Sequence, residues 1–182
     1  MRAFSIALLF TTSVVSVFGQ KFGAAENLGP AIPTPEILVQ KMLEAAHVKA
    51  GETVYDLGSG DGRVVIMAAQ KFGAHAVGIE IQPDLCIKAR QRVQSLGLED
   101  RVKIVEDSAL RVDLSPANVV TMCFLTNSND RLKPTLETHL KPGSRVVSNE
   151  FPIRGWKPAE TVRVKVGKMD HAIYVYEIGR LR

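Results

Sequence analysis

The chain has 182 residues, 46% of them hydrophobic, which suits one domain with a single core and leaves no room for a second. Its formal charge of +4 comes from scattered Lys and Arg with no run of five or more, so composition gives no reason to invoke a nucleic acid or an anionic membrane as partner. The two cysteines, Cys86 and Cys123, show no placement that suggests a bridge and read as free, buried thiols.

Residues 1–19 differ in composition from the rest: Arg2 is followed by an uncharged run of apolar and hydroxyl residues to Phe18, then Gly19. The run is shorter than the ~20 residues that cross a bilayer core, which favours an export signal over the alternative of an uncleaved anchor. The expected location is therefore exported or membrane-anchored, with any membrane contact made through this segment alone. Residues 20–33, rich in Gly, Ala and Pro, read as a linker, and the folded domain is expected over 34–182.

Thr34, Pro35 and Glu36 form a helix start, and the helix runs to Ala46. Strands and helices then alternate, the pattern of a parallel sheet covered on both faces. Strands are expected at 53–57, 75–80, 102–106, 119–124 and 144–148, with helices at 62–71, 84–96 and 129–140. At the end the pattern changes. The β-rich runs 161–166 and 172–178 are separated by too few residues for a crossover helix, so they form an antiparallel hairpin.

The first strand runs into D-L-G-S-G-D-G at 56–62, where Gly58, Gly60 and Gly62 free the backbone for positive φ and let a ligand lie against the main chain. The alternative is an ordinary strand-to-helix turn. The spacing is GxGxG, whereas a dinucleotide fingerprint reads GxGxxG, and Arg63 stands at the third glycine's place. Asp56 and Asp61 would repel a pyrophosphate and suit a ligand with ammonium and sulfonium charges. The second strand ends in Glu80 beside Ile81, an acid placed to take two ribose hydroxyls. The third ends in Glu106-Asp107-Ser108, suited to the edge of an adenine ring.

Together these residues, with Ser59 in the turn, resemble the class I S-adenosylmethionine-dependent methyltransferases: D-L-G-S-G-D-G is similar to their first motif, G-I-E to their ribose acid and E-D-S to their adenine-edge position. The resemblance covers residues 34–182. It implies a Rossmann-like seven-stranded, mostly parallel sheet with a C-terminal antiparallel hairpin and helices on both faces, with S-adenosyl-L-methionine as cofactor and no metal. A cytosolic cofactor sits uneasily with an export signal. A narrower resemblance rests on D-L-S at 113–115, L-K-P-G-S-R-V-V-S at 140–148 and the F-P and W-x-P of residues 151–158. These are similar to a small group related to archaeal and mitochondrial protein-lysine methyltransferases, and they imply a protein with an exposed lysine as substrate.

The acceptor is expected over the tips of the fourth and fifth strands. The fourth lacks the N-P-P-Y or D-P-P-Y that positions planar amines in nucleic-acid enzymes, and Cys123 does not follow a proline. Glu150 is expected to position the amine, Asn127 to accept a hydrogen bond, and Phe151 or Trp156 to form an apolar wall; the alternatives are a solvated acid for Glu150, a cap on the following helix for Asn127 and a core position for Trp156. Little chain is left over for a lid, which suits a lysine on a protein surface better than a small molecule. A small-molecule methyltransferase and a catalytically silent cofactor-binding domain are the competing readings.

Overall fold

The computed structural model describes Phe22, Gly23 and residues 26–181. Its elements are α1 (Glu36–Ala45), β1 (Thr53–Leu57), α2 (Arg63–Phe72), β2 (His75–Glu80), α3 (Pro83–Ser95), β3 (Val102–Glu106), β4 (Val119–Met122), α4 (Thr126–His139), β5 (Arg145–Asn149), β6 (Glu160–Val166) and β7 (Met169–Glu177). The seven strands form one sheet in the order β3-β2-β1-β4-β5-β7-β6. The first five are parallel, β7 runs antiparallel to β5, and β6 closes the edge against β7. This is the Rossmann-like sheet expected from the sequence.

Each face buries its own core. Val39 and Leu43 of α1, Val65 and Ala68 of α2 and Ala89 and Val93 of α3 pack with Val54, Val119, Val147, Ile173 and Val175 on one face. Leu132 and Leu136 of α4 cover the other with Leu114, Ile153, Trp156 and Tyr176. β4, Val-Val-Thr-Met, is buried at every position, as expected of a central parallel strand covered on both faces. Residues of one parity along neighbouring strands share a face, so Asp56, Thr121, Cys123, Asn149 and His171 lie on the α1–α3 side.

The chain leaves β1 outward to β2 and β3, then crosses back to β4 on β1's other side. The crevice at this reversal is where an open α/β sheet binds ligands. At the opposite edge Arg145 pins the sheet to the end of α1, donating to Glu52 at 2.7 and 3.0 Å and to the Ala46 carbonyl at 3.0 Å.

Several boundaries differ from expectation. β4 stops at Met122 and α4 begins at Thr126, three residues early, because Ser128 and Asn129 donate their N–H groups to the Leu125 carbonyl at 2.9 and 3.0 Å. The hairpin is tighter than expected. Val166 pairs with Met169 across a two-residue turn in which Gly167 takes φ 63°, so most of the expected loop is strand.

The expectation of export or membrane anchoring is corrected. No helix among the described residues is long and apolar enough to cross a membrane, and residues 1–19, on which the expectation rested, lie outside the described residues.

Candidate functional site

β1 delivers the chain into the glycine turn, and β2 holds that turn in place. The N–H groups of Gly58 and Ser59 donate to the Ile79 carbonyl at 2.9 and 3.0 Å, while Gly58 and Gly60 take φ of 75° and 54°. A Cβ on Gly58 would lie 2.8 Å from the Phe124 ring, so the turn rests directly on that ring. A Cβ on Gly60 would meet nothing within 4 Å, and it would project strained into open pocket. Gly62 serves packing: it caps α2 with φ 78°, and a Cβ there would stand 3.3 Å from Ala89 Cβ. Gly78, in the middle of β2, leaves room for Ser59, whose Oγ lies 2.7 Å from where a Cβ would be.

Three carboxylates surround the turn, each in a different state. Glu80 is buried. Its Oε2 accepts the Gly60 N–H at 2.8 Å and its Oε1 the Gln82 N–H at 2.9 Å, leaving a lone pair on each oxygen for a hydroxyl. Asp56 is buried too and accepts the Thr121 hydroxyl at 2.6 Å. Burial pushes its carboxyl up to about 7, against the lowering by that bond, and the charges of Glu80 and Asp61 add to the rise. A cation bound beside Asp56 would relieve this. Asp61 is already paired: Arg63 donates to it at 2.7 and 2.9 Å, Arg92 lies at 3.4 Å, and the Arg63 guanidinium holds its carboxyl below the usual range. The case for a cationic ligand therefore rests on Asp56 and Glu80 rather than on Asp61.

The pocket is roofed, which corrects the expectation of a lidless rim. Residues 26–34 line it from above, opposite Asp56, Gly58, Ser59, Gly60, Glu80 and Ile81. This strap is pinned at three points. Arg111 pairs with Glu26, Ser128 Oγ donates to the Leu28 carbonyl at 2.6 Å, and Arg63 donates to the Thr34 carbonyl at 2.7 Å. A signal existed in the sequence: Leu28 interrupts the Gly/Pro-rich stretch, and it is buried at 6% exposure.

The adenine-edge candidates are tied locally. Asp107 Oδ1 accepts the Ser108 N–H at 2.7 Å and the buried Ser108 Oγ accepts the Leu110 N–H at 3.3 Å, so Ala109 is the residue of this loop that lines the pocket. At the far end the lining residues are Met122, Cys123 and Phe124. Cys123 is exposed there, in contrast to the buried thiol expected. Of the acceptor-side candidates, Glu150 and Phe151 stand together at the tip of β5, whereas Asn127 is exposed on α4 with its Oδ1 held by Arg154. Trp156 is core, at 7% exposure, edge-on to Tyr176 with 5.5 Å between ring centroids and donating to Glu137 at 2.8 Å. Phe124 and Gly78 were not anticipated, since neither carries a polar group or a spacing signal. Among the described residues no group of His, Cys, Asp and Glu is placed to hold a metal ion.

The residues present fit S-adenosylmethionine: a main-chain cradle, a buried acid with two free lone pairs, a second buried acid suited to a cation and an unpartnered Ser59 Oγ all face or border one pocket. Comparison with known proteins agrees. A protein-lysine N-methyltransferase of Saccharolobus islandicus is 50% identical over 151 residues, covering 82% of this chain and 94% of the relative. An adenine nucleotide translocase lysine N-methyltransferase of Mus musculus is 30% identical over 77% of this chain, which spans only 59% of that longer protein. The crystal structure of a protein from Salinibacter ruber, described as an RNA methyltransferase in complex with S-adenosyl-L-homocysteine, superposes with a TM-score of 0.76 at 42% identity, over 81% of this chain and 94% of that one. The family model of the ANTKMT methyltransferase domain matches residues 56–160, from the acid of the first motif to the start of β6. The chain belongs to the ANTKMT methyltransferase domain family, and it is an S-adenosylmethionine-dependent methyltransferase.

Proposed function

We propose that this protein methylates lysine side chains of protein substrates. The observation that carries the reading is the 50% identity to the protein-lysine N-methyltransferase of Saccharolobus islandicus over 94% of its length. When bound, the cofactor supplies a methyl carbon activated by a sulfonium. What the chain itself must do is hold that group, bring in an amine and keep the amine unprotonated.

The holding is assigned to the turn Gly58-Ser59-Gly60, with Gly62 fixing the helix behind it. Glu80 is assigned to the ribose hydroxyls, Asp56 to the cationic end, and Ile81 and Ala109 to the adenine side, with Asp107 and Ser108 fixing the loop that carries Ala109. Glu150 and Phe151 face the acceptor, and Asn127 stands on its outer rim. The strap shields the pocket from water and leaves Cys123 and Phe124 at the open end.

A second reading, RNA as acceptor, comes from the description of the Salinibacter ruber protein. Incubating the purified protein with methyl-labelled cofactor, cell protein and total RNA separates them. Label recovered as methyl-lysine after hydrolysis is the expected result. Label on nucleobases, on carboxylates or on metabolites alone would overturn the lysine reading and leave the cofactor site standing.

A further inference from the structure

The tips of β4, β5 and β7 carry a second cluster that cofactor binding does not use. It begins at Cys123, which lines the open end of the pocket. Asn149 ends β5 beside it, at 3% exposure, and donates from Nδ2 to Cys123 Sγ at 3.5 Å. The Asn149 Oδ1 is buried without a hydrogen-bond partner. Burying an amide oxygen unpaired is costly, and such atoms persist where something else is meant to meet them.

The next residue is held in a strained turn. Glu150 takes φ 67°, in the left-handed region that side-chain-bearing residues rarely enter. The Phe151 N–H donates back to the Asn149 carbonyl at 2.9 Å, and the Glu150 N–H donates to the Ala172 carbonyl of β7 at 2.7 Å. A three-residue turn with a carboxylate-bearing residue at its centre is unusual, and strain of this kind clusters at working sites. The turn puts the Glu150 carboxylate against His171 Nδ1 of β7. With the Nδ1 proton shared toward Glu150, Nε2 carries a bare lone pair, and this atom is also buried and without a partner. Since Asn149 pairs with Ile173, His171, two residues earlier in β7, lies on the same face and at the same end of the sheet as Asn149.

We propose that Asn149 and the Glu150–His171 pair seat the acceptor amine: Asn149 Oδ1 takes one N–H of the lysine and His171 Nε2 accepts the proton that its ammonium must lose. This rests on the lysine reading of the function. The N–H bond breaks, its electron pair stays on the nitrogen as the nucleophilic lone pair, and the proton passes to the imidazole. Glu150 holds the ring in the required tautomer and offsets the charge of the imidazolium. The proton leaves to solvent along the Glu150 side, where that side chain is 31% exposed. The surroundings compete little. β6 sets Val164 opposite His171, and the residue after β4 offers the Cys123 thiol with Asp56 beyond it. On α1 the charges are engaged elsewhere, Glu36 with Arg92 at 4.0 Å and Lys41 with Glu44 at 2.7 Å.

The test uses the full chain with labelled cofactor and a lysine-rich polypeptide across pH. His171→Gln should cut kcat by about a hundredfold near neutrality. The deficit should shrink steadily toward about pH 10, where lysine arrives already neutral and needs no base. Glu150→Gln should show the same convergence from a smaller deficit. Asn149→Leu should raise KM for the polypeptide while cofactor affinity, measured by calorimetry, stays at the parent's value. A deficit independent of pH, or none, in His171→Gln and Glu150→Gln variants that still bind cofactor normally would overturn the proposal. With total RNA added beside the polypeptide, label appearing only on the RNA would remove the lysine reading and this proposal with it.

Discussion

Over β1, β2 and β3 the carboxylates at the carboxyl edge of the sheet are paired before any ligand arrives, Ser59 Oγ alone among the site's polar side chains being left open, whereas over β4, β5 and β7 the polar groups are not paired. On the first side Glu80 accepts two main-chain N–H groups, Asp61 is clamped by Arg63 and Asp56 holds the Thr121 hydroxyl. On the second side Asn149 Oδ1 and His171 Nε2 are buried and unpaired, and Glu150 sits in a strained turn. The first arrangement suits a ligand of fixed shape that returns in every cycle, held by a preorganised main chain. The second keeps polar groups waiting for a partner that differs in its surroundings and shares only an amine.

The sharpest way to break the comparison is at the turn. Gly60→Val puts a branched side chain at φ 54° into open pocket, where no protein atom stands within 4 Å of its Cβ. Cofactor affinity should fall by at least about a hundredfold, roughly 2.7 kcal/mol. Calorimetry reads this directly, and circular dichroism should show the fold retained. Parent-like affinity would mean that the turn is merely structural. Glu80→Gln comes next. It keeps the size of the side chain, but its NH2 cannot accept as the lost carboxylate oxygen did, leaving the main-chain N–H of Gly60 or of Gln82 unpaired and that oxygen's place closed to a ribose O–H donor. The expected loss is about tenfold, or 1–2 kcal/mol. An unchanged affinity would remove Glu80 from the ribose.

How far this division could be read from sequence follows from the same contrast. The paired half was legible because its chemistry is local: three glycines and an acid at each of three successive strand ends are a linear pattern, and the strand boundaries of β1, β2 and β3 followed from short Val and Ile runs between turns. The unpaired half was not. Asn149, His171 and Cys123 are far apart in the chain and meet only through the register of β5 with β7 and of β4 with β5, which no spacing reveals. His171 was read as part of a loop because the hairpin turn was placed too long. The strap was missed for a different reason: Gly and Pro imply irregular backbone, and whether irregular backbone is free or laid over a pocket depends on partners such as Ser128 and Arg111.

A third test uses pH on the cofactor side. The Asp56 carboxyl titrates near 7 in the folded chain, against 3.8 as its ordinary value, because burial disfavours the charged form. The folded state thus holds this proton more tightly than the unfolded state. Its contribution to stability is present at low pH and is lost as pH rises between about 4 and 7, becoming flat above. Binding a cation beside Asp56 reverses the preference and expels the proton, so cofactor affinity should rise with pH by severalfold between about 6 and 7.5, below the titration of the cofactor's own amine. In Asp56→Asn the slope should vanish. A pH-independent affinity in the parent would place the cationic end of the cofactor elsewhere.

The smallest effect is expected at the strap, and it asks whether the paired half is rigid or has to open. Ser128 Oγ holds the Leu28 carbonyl at 2.6 Å, one of three pins, the others being Arg111 on Glu26 and Arg63 on the Thr34 carbonyl. Removing a neutral hydrogen bond costs about 0.5–1.5 kcal/mol, so Ser128→Ala should shift the closed strap toward open by roughly two- to tenfold. Leu28 stays buried in the α4-side core and limits the shift, and the other two pins keep the segment docked. If cofactor exchanges by way of the strap, its dissociation and association rates should both rise by that factor, with affinity and melting temperature nearly unchanged. Stopped-flow displacement measures it. An unchanged dissociation rate would mean that the cofactor exchanges through the open end at Cys123 and Phe124, past the acceptor seat, so that a docked protein substrate would block exchange. A faster rate keeps the two paths separate, and the enzyme could then exchange cofactor while its substrate stays bound.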